Sequence, residues 1–159
     1  MVEASNILGV DVMTGHWEFT YGEKIFLENL KKFNGDFVAQ NISLTEEALF
    51  DGIEPVDDSN HFQKPYVIKT INNQRVAVIG QAFPYTPIAN PGRLIPNLTF
   101  GIRDNELQEL IDLIKDKEDT SLIVLLSHNG VDVDKKMASK VNGIDIISVS
   151  YTHLRAHET

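Results

Sequence analysis

The chain contains no cysteine, which removes disulfides, thiolate nucleophiles and thiolate metal ligands at the outset. Any metal held here would rest on His, Asp, Asn or Glu, a donor set suited to manganese, iron or zinc. Basic charge is scarce: 14 Lys and Arg against 23 Asp and Glu leave a formal net charge of −9. Such a surface repels phosphate backbones and anionic lipid, so neither nucleic acid nor membrane is an expected partner. No apolar run approaches the roughly 20 residues that a membrane-crossing helix needs. The opening "MVEASNILGVDVM" lacks the basic start and small-residue cleavage site of a secretory leader. Internal repeats and low-complexity tracts are missing as well. What remains is 159 residues, 42% of them hydrophobic, enough for one domain with a real core and too few for two.

The apolar residues come in short runs. "DFVAQNI" (36–42), "RVAVIG" (75–80), "SLIVLLS" (121–127) and "IDII" (144–147) lack polar alternation, as strands covered on both faces do. "YVIKTINNQRVAVIG" predicts a hairpin turning at Asn72 and Asn73. "DNELQELIDLIKDKE" has a helical stripe of Leu107, Leu110, Ile111 and Ile114, with Asp104 expected as N-cap. Helices are also predicted over 23–33, with Phe26, Leu30 and Phe33 on one face, and through "DVDKKMASKVN", with Val133, Met137 and Val141. Ser43 and Glu46 have capping-box spacing. The segment 83–101 holds four of the six prolines and reads as a long ordered loop. Helix, strand, helix, strand late in the chain implies an α/β fold with right-handed crossovers in a parallel sheet. Chemistry in such sheets sits beyond the carboxyl ends of the strands.

Two histidines lie where that rule points. His128 follows "SLIVLLS" and precedes Asn129 and Gly130; His16 follows "ILGVDVM" and stands beside Gly15. A lone histidine is ordinarily a hydrogen-bonded structural residue, but one at a strand's end beside a glycine turn is a site candidate. His61, in "PVDDSNHFQKP", reads as a solvated loop residue.

The blocks "GHWEFTYG" and "LLSHNGVDVD", with "VAVIGQAFPYTPIANP" between them, resemble in order those of the calcineurin-like metallophosphoesterases, in the branch that includes 5′-nucleotidases. In that branch the first block reads G-N-H-E-F-D-Y-G and the second S/T-H-x-G. His16-Trp17 in place of Asn-His is similar to one subgroup, the Sox-system thiosulfohydrolases (SoxB). The resemblance runs from about residue 1 to 147. It implies a partial four-layer αββα metallophosphoesterase sandwich around two divalent metal ions, expected to be manganese. By position, His16 takes the place of a metal-ligand Asn and His128 that of a metal-ligand His. Trp17 stands where phosphoesterases carry the histidine that assists the leaving group, a catalytic and substrate-binding position. An indole has no acidic proton to give, which suits a leaving group that needs none. The subgroup releases sulfate from a carrier protein bearing a cysteine S-thiosulfonate, and it is periplasmic. Glu18 is expected to brace the loop and Asn129 to orient a ligand or substrate. Tyr21, Phe83 and Tyr85 are read as core packing rather than pocket walls. The alternatives are a 5′-nucleotidase or phosphomonoesterase fragment, against which Trp17 argues, and a non-catalytic binding module.

The family continues after the position of "GIDII" with L-G-G-H-T-H, and against this "SVSYTH" keeps only Thr152 and His153. "VSYTHLRAHET" instead resembles one reading frame of a transposase sequencing adapter over eleven consecutive residues. Residues 1–147 are therefore read as a partial metallophosphoesterase domain and 148–159 as a non-native tail that packs on nothing. His153 and His157 are then not ligands, despite their i, i+4 spacing. The D-x-H and G-D blocks that supply further metal ligands in the family have no counterpart before "GHWEF". The chain is thus expected to be a fragment truncated at both ends, inactive by itself, whose start says nothing about export.

Overall fold

The computed structural model describes residues 2–150. Helix α1 (Val2–Leu8) leads into strand β1 (Val12–Met13) and a 3₁₀ turn, Trp17–Tyr21. Helix α2 (Glu23–Leu30), strands β2 (Asp36–Phe37) and β3 (Ile42–Leu44), and helix α3 (Glu46–Phe50) follow. Next come β4 (Tyr66–Ile71), β5 (Gln74–Gln81), the short helix α4 (Thr86–Ala89), a 3₁₀ turn at Gly92–Leu94 and β6 (Leu98–Phe100). Helix α5 (Asp104–Lys117), β7 (Leu122–Ser127), α6 (Val131–Lys140) and β8 (Ile146–Val149) complete the described chain.

The main sheet has the order β4-β5-β7-β8. Strands β4 and β5 form the expected hairpin, and Asn72 and Asn73 both take positive φ (49° and 63°) at its turn, the backbone a two-residue hairpin demands. Strands β5, β7 and β8 are parallel, as the late helix–strand alternation implies. Ala77 and Ile79 of β5 and Ile123 and Leu125 of β7 alternate along their strands and face the same way. They pack with Leu107, Ile111 and Ile114 of α5 and with Met137 of α6, all but inaccessible to solvent. Each of the buried Ile, Leu and Met side chains among them contributes about 1.5–3 kcal/mol before conformational entropy is set against it. The second core is aromatic. Phe19 stacks on Phe26 at 4.7 Å, and Phe26 meets Phe37 edge-on at 5.0 Å, among Ala39, Ile42 and Leu98. It packs against the pairs β1–β2, parallel, and β3–β6, antiparallel.

Several sequence expectations need correction. The 36–42 run is not one strand: it breaks after Phe37, because residues 38–41 turn across the main sheet, where Gln40 N–H donates to Gly80 O (2.8 Å). Asp104 does not cap α5. Arg103 occupies the cap in a left-handed conformation (φ 52°), its guanidinium held by Ser43 Oγ and Thr99 O, and the Asp104 carboxylate accepts from Lys140 Nζ (2.6 Å). Ser43 is consequently a strand residue, and Thr45 caps α3 by accepting from Ala48 N–H (3.2 Å). His61 is no solvated loop residue. It is 8% exposed, bridges to Ser43 and hydrogen-bonds the Asp57 carboxylate through Nδ1 (2.7 Å). The proline-rich 83–101 segment carries α4, a 3₁₀ turn and β6 rather than irregular loop alone. Strand β8 runs through Ser148 and Val149, which pair with Leu126 and Ser127, so the first tail residues belong to the sheet. His153 and His157 lie outside the described residues. Among the described residues, no helix is long and apolar enough to cross a membrane.

Candidate functional site

Strands β5 and β7 end side by side, Gln81 opposite Ser127. His128 is the first residue beyond β7, and its N–H donates to Gln81 O (2.8 Å). Gly130 follows with φ 91°, a backbone open to glycine at no steric cost, and lets the chain turn at once into α6. The loop carrying His16 arrives from the other core. Gly15 O accepts from Phe83 N–H (3.0 Å) just past β5, tying that loop to the same sheet edge. A side chain on Gly15 would sit 2.6 Å from Phe19 Cε2 and 3.0 Å from Phe37 Cζ, so only glycine lets the loop lie this close to the aromatic core. Glu18 Oε2 accepts the His16 N–H (2.5 Å) and braces the turn that points the imidazole toward β7.

Although 112 positions separate them in sequence, the two imidazoles stack, with ring centroids 4.4 Å apart and planes 10° from parallel. Phe83 meets His16 edge-on at 4.7 Å and Trp17 meets it edge-on at 4.9 Å. Burial holds the His16 pKa below its ordinary value, helped by the neighbouring His128 and opposed by Glu18. Burial likewise lowers His128, again against Glu18. Both shifts favour the neutral ring, the form that coordinates metals.

Trp17 is 56% exposed, Tyr21 57% and Tyr85 42%, so the two tyrosines are not core residues as the sequence suggested. Phe83 is half-buried between His16 and Tyr85. Asn129 is buried and uses both ends of its amide on the protein. Its Oδ1 accepts from Gln81 Nε2 (3.1 Å), and its Nδ2 donates to Asp134 Oδ1 (3.0 Å). That leaves Asn129 placed to hold the His128 turn, whereas the sequence suggested it would orient a ligand.

Sequence reasoning missed Gln81, Ser127 and Asp134, which lie beneath the histidines. Asp134 reads in sequence as one more charge in "DVDKK", yet it is 3% exposed. The signal that existed was polar residues closing apolar strands, Gln81 after "VAVIG" and Ser127 after "LIVLL". As a donor set, two neutral imidazoles fit part of a divalent-metal shell. No group of three or more His, Asp or Glu that could hold a metal by itself occurs among the described residues.

No family profile matches the chain. It is 32% identical over 145 residues to a 5′-nucleotidase of Bos taurus, covering 89% of this chain and 23% of that protein. It is 34% identical over 155 residues to the uncharacterized metallophosphoesterase YunD of Bacillus subtilis, covering 86% of this chain and 32% of that protein. Among solved structures, the sulfate thiohydrolase SoxB of Thermus thermophilus superposes with a TM-score of 0.80 at 32% identity, covering 93% of this chain and 25% of that one. The calcineurin-like phosphoesterase YfkN of Bacillus subtilis gives a TM-score of 0.76 at 22% identity, covering 93% and 46%, a likeness of fold alone. The chain spans about a quarter to a third of the length of the curated relatives named here, and its α/β architecture matches that of these structural neighbours.

Proposed function

Homologues and structural neighbours place the chain in the 5′-nucleotidase / calcineurin-like metallophosphoesterase family, and from that premise we propose that it is a segment of a thiosulfohydrolase. The parent protein hydrolyses a cysteine S-thiosulfonate on a sulfur-carrier protein and works in the periplasm. One observation carries this reading: Trp17, an exposed indole at the edge of the imidazole pair. A phosphoester hydrolase expelling an alkoxide gains from a side chain that protonates it. The indole N–H donates hydrogen bonds but yields no acidic proton. At the thiosulfonate, water oxygen bonds to the terminal sulfonate sulfur and the S–S bond breaks. The electron pair departs on a persulfide sulfur, which needs no protonation, and the water protons pass to solvent.

His16 and His128 would hold part of the metal shell, presenting ring nitrogens from two loops fixed to one sheet edge. Two divalent ions, expected to be manganese, supply Lewis acidity and water activation when bound; the other ligands belong to the rest of the parent protein. Trp17 offers an apolar face to the carrier's sulfur arm, and the half-buried setting of the rings limits water around them. Among the described residues only these two candidate ligands come together, and the expected result for the chain by itself is no turnover.

A sulfate-release assay on the intact parent, charged with a thiosulfonate carrier and Mn²⁺ and run beside AMP hydrolysis, tests the proposal. The expected result is sulfate release with little phosphate, and a gain in AMP hydrolysis for Trp17→His. The second reading, a 5′-nucleotidase, is favoured by the likeness to the Bos taurus enzyme. A parent that prefers AMP with Trp17 in place would establish that reading and refute ours.

A further inference from the structure

The stacked histidines rest on a buried polar network. Asp134, in the first turns of α6 and 3% exposed, accepts two hydrogen bonds on one carboxylate oxygen, Oδ1: from Ser127 Oγ (2.7 Å) and Asn129 Nδ2 (3.0 Å). Ser127 Oγ in turn accepts the Asn129 N–H (3.1 Å). The residues on either side of His128 are therefore clamped to a single buried atom, and the His128 N–H is held by Gln81 O (2.8 Å). Gln81 closes the circuit: its Nε2 donates to Asn129 Oδ1 and to Ile102 O (3.0 Å), and its Oε1 accepts from Gln40 Nε2 (2.5 Å). Gln40 and Gln81 are almost wholly inaccessible, at 1% and 0%.

Burying a carboxylate away from water is costly unless its bonds serve a purpose. Asp134 Oδ2 has no hydrogen-bond partner among the described residues, so the residue bears that cost for a single oxygen. An apolar side chain would fill the same place under α6 at lower cost. What the carboxylate provides is geometric. It fixes Ser127 and Asn129, the residues on either side of His128 at the end of β7, opposite a loop that is tied independently to β5 through Phe83 and Gly15.

We propose that Asp134, acting through Ser127 and Asn129, is a positioning residue that sets the orientation of the His128 imidazole against His16. The proposal deepens the reading that these imidazoles form one site, and it rests on that reading only for its functional value. The stack itself can be measured without metal or substrate. Bound metals lean on residues of this kind: loss of a group that orients a ligand typically lowers metal affinity or activity about 10–100-fold.

The test is nuclear magnetic resonance of the chain labelled at histidine, with His16 and His128 assigned by single His→Gln variants. The readouts are the inter-ring cross-peak expected from a 4.4 Å stack and the ring-current shift it produces. Asp134→Ala should lose both while the remaining spectrum stays folded. Asp134→Asn, which keeps an acceptor oxygen at the position of Oδ1, should restore them. Ile114→Ala, in α5 and remote from the turn, should lower thermal stability while leaving the stack intact. Should Asp134→Ala not fold, Ser127→Ala, which removes one of the two bonds to Oδ1, should weaken the cross-peak. The proposal is overturned by an unchanged stack in Asp134→Ala, or in Ser127→Ala where that variant stands in. It is overturned equally by loss of the stack in Asp134→Asn or in Ile114→Ala. Failure of the catalytic reading would look different: an intact, Asp134-dependent stack in a parent protein that releases no sulfate.

Discussion

Gly80 lies directly against the backbone of Val38 and Ala39, and replacing it by alanine should be severe. A Cβ built there lies 1.9 Å from Val38 O, 2.2 Å from Val38 C and 2.8 Å from Ala39 N. All three are backbone atoms, so no side chain can swing aside. Ordinary contact begins at 3.4 Å, and the segments must part by 3.4 − 1.9 = 1.5 Å. Overpacking of this kind costs about 1–3 kcal/mol. The same movement stretches the bond from Gln40 N–H to Gly80 O (2.8 Å) beyond recognition. At about 1 kcal/mol for that bond, the total is about 2–4 kcal/mol, a large part of the roughly 5–15 kcal/mol that folds a typical domain. Urea unfolding followed by circular dichroism checks it. The reference is Gly92→Ala, where a Cβ meets nothing within 4 Å and the change should lie within about 1 kcal/mol of neutral. A Gly80→Ala midpoint close to that of Gly92→Ala would refute the close-approach argument. The damage should also spread to the site, since Gln81, the next residue, holds the His128 N–H.

On the proposed thiosulfohydrolase reading, His16→Ala or His128→Ala in the intact parent should each reduce sulfate release on the order of 100-fold or more, the loss being larger than for groups that only orient a ligand; initial rates with added Mn²⁺ check this. Both histidines have pKa values below the ordinary 6.5, so the unfolded chain binds more protons than the folded one once the pH drops below about 6.5. Their contribution to stability is fully present above that pH and is lost as pH falls toward the depressed values; unfolding midpoints across pH 5–8 should show a slope that His16→Gln and His128→Gln each make shallower. Asp36, lowered chiefly by its hydrogen bond to Lys69, adds a separate loss only below its ordinary value near 3.8. Ending the chain at Ile147 removes the pairing of Ser148 and Val149 with β7 and the Ser150 N–H bond to Ser127 O (3.2 Å). Thermal unfolding should then show a loss of about 1–2 kcal/mol, one or two edge hydrogen bonds, where a tail unrelated to the fold would cost nothing.

The sequence by itself determined the elements whose signal is local. The stripe Leu107–Ile111–Ile114 marks α5 because a helix must hide one face, and "RVAVIG" and "SLIVLL" mark β5 and β7 because covered strands carry no polar alternation. Paired asparagines announced the hairpin, since few other residues accept two successive positive φ values. His16 and His128 were legible as candidates because strand ends beside glycine are where α/β sheets place chemistry. The tertiary structure alone decided what depends on residues distant in sequence. Whether Ser43 caps a helix or binds Arg103, whether His61 is wet or buried, and where "DFVAQNI" must break were settled by partners up to 60 positions away. Asp134 drew no reading from the sequence, because a 3.6-residue period cannot show that the end of another strand offers it two donors. The 4.4 Å stack of His16 on His128 belongs to the same class: each loop is tied to the same edge of the sheet, and a distance between two loops exists only once that sheet has formed.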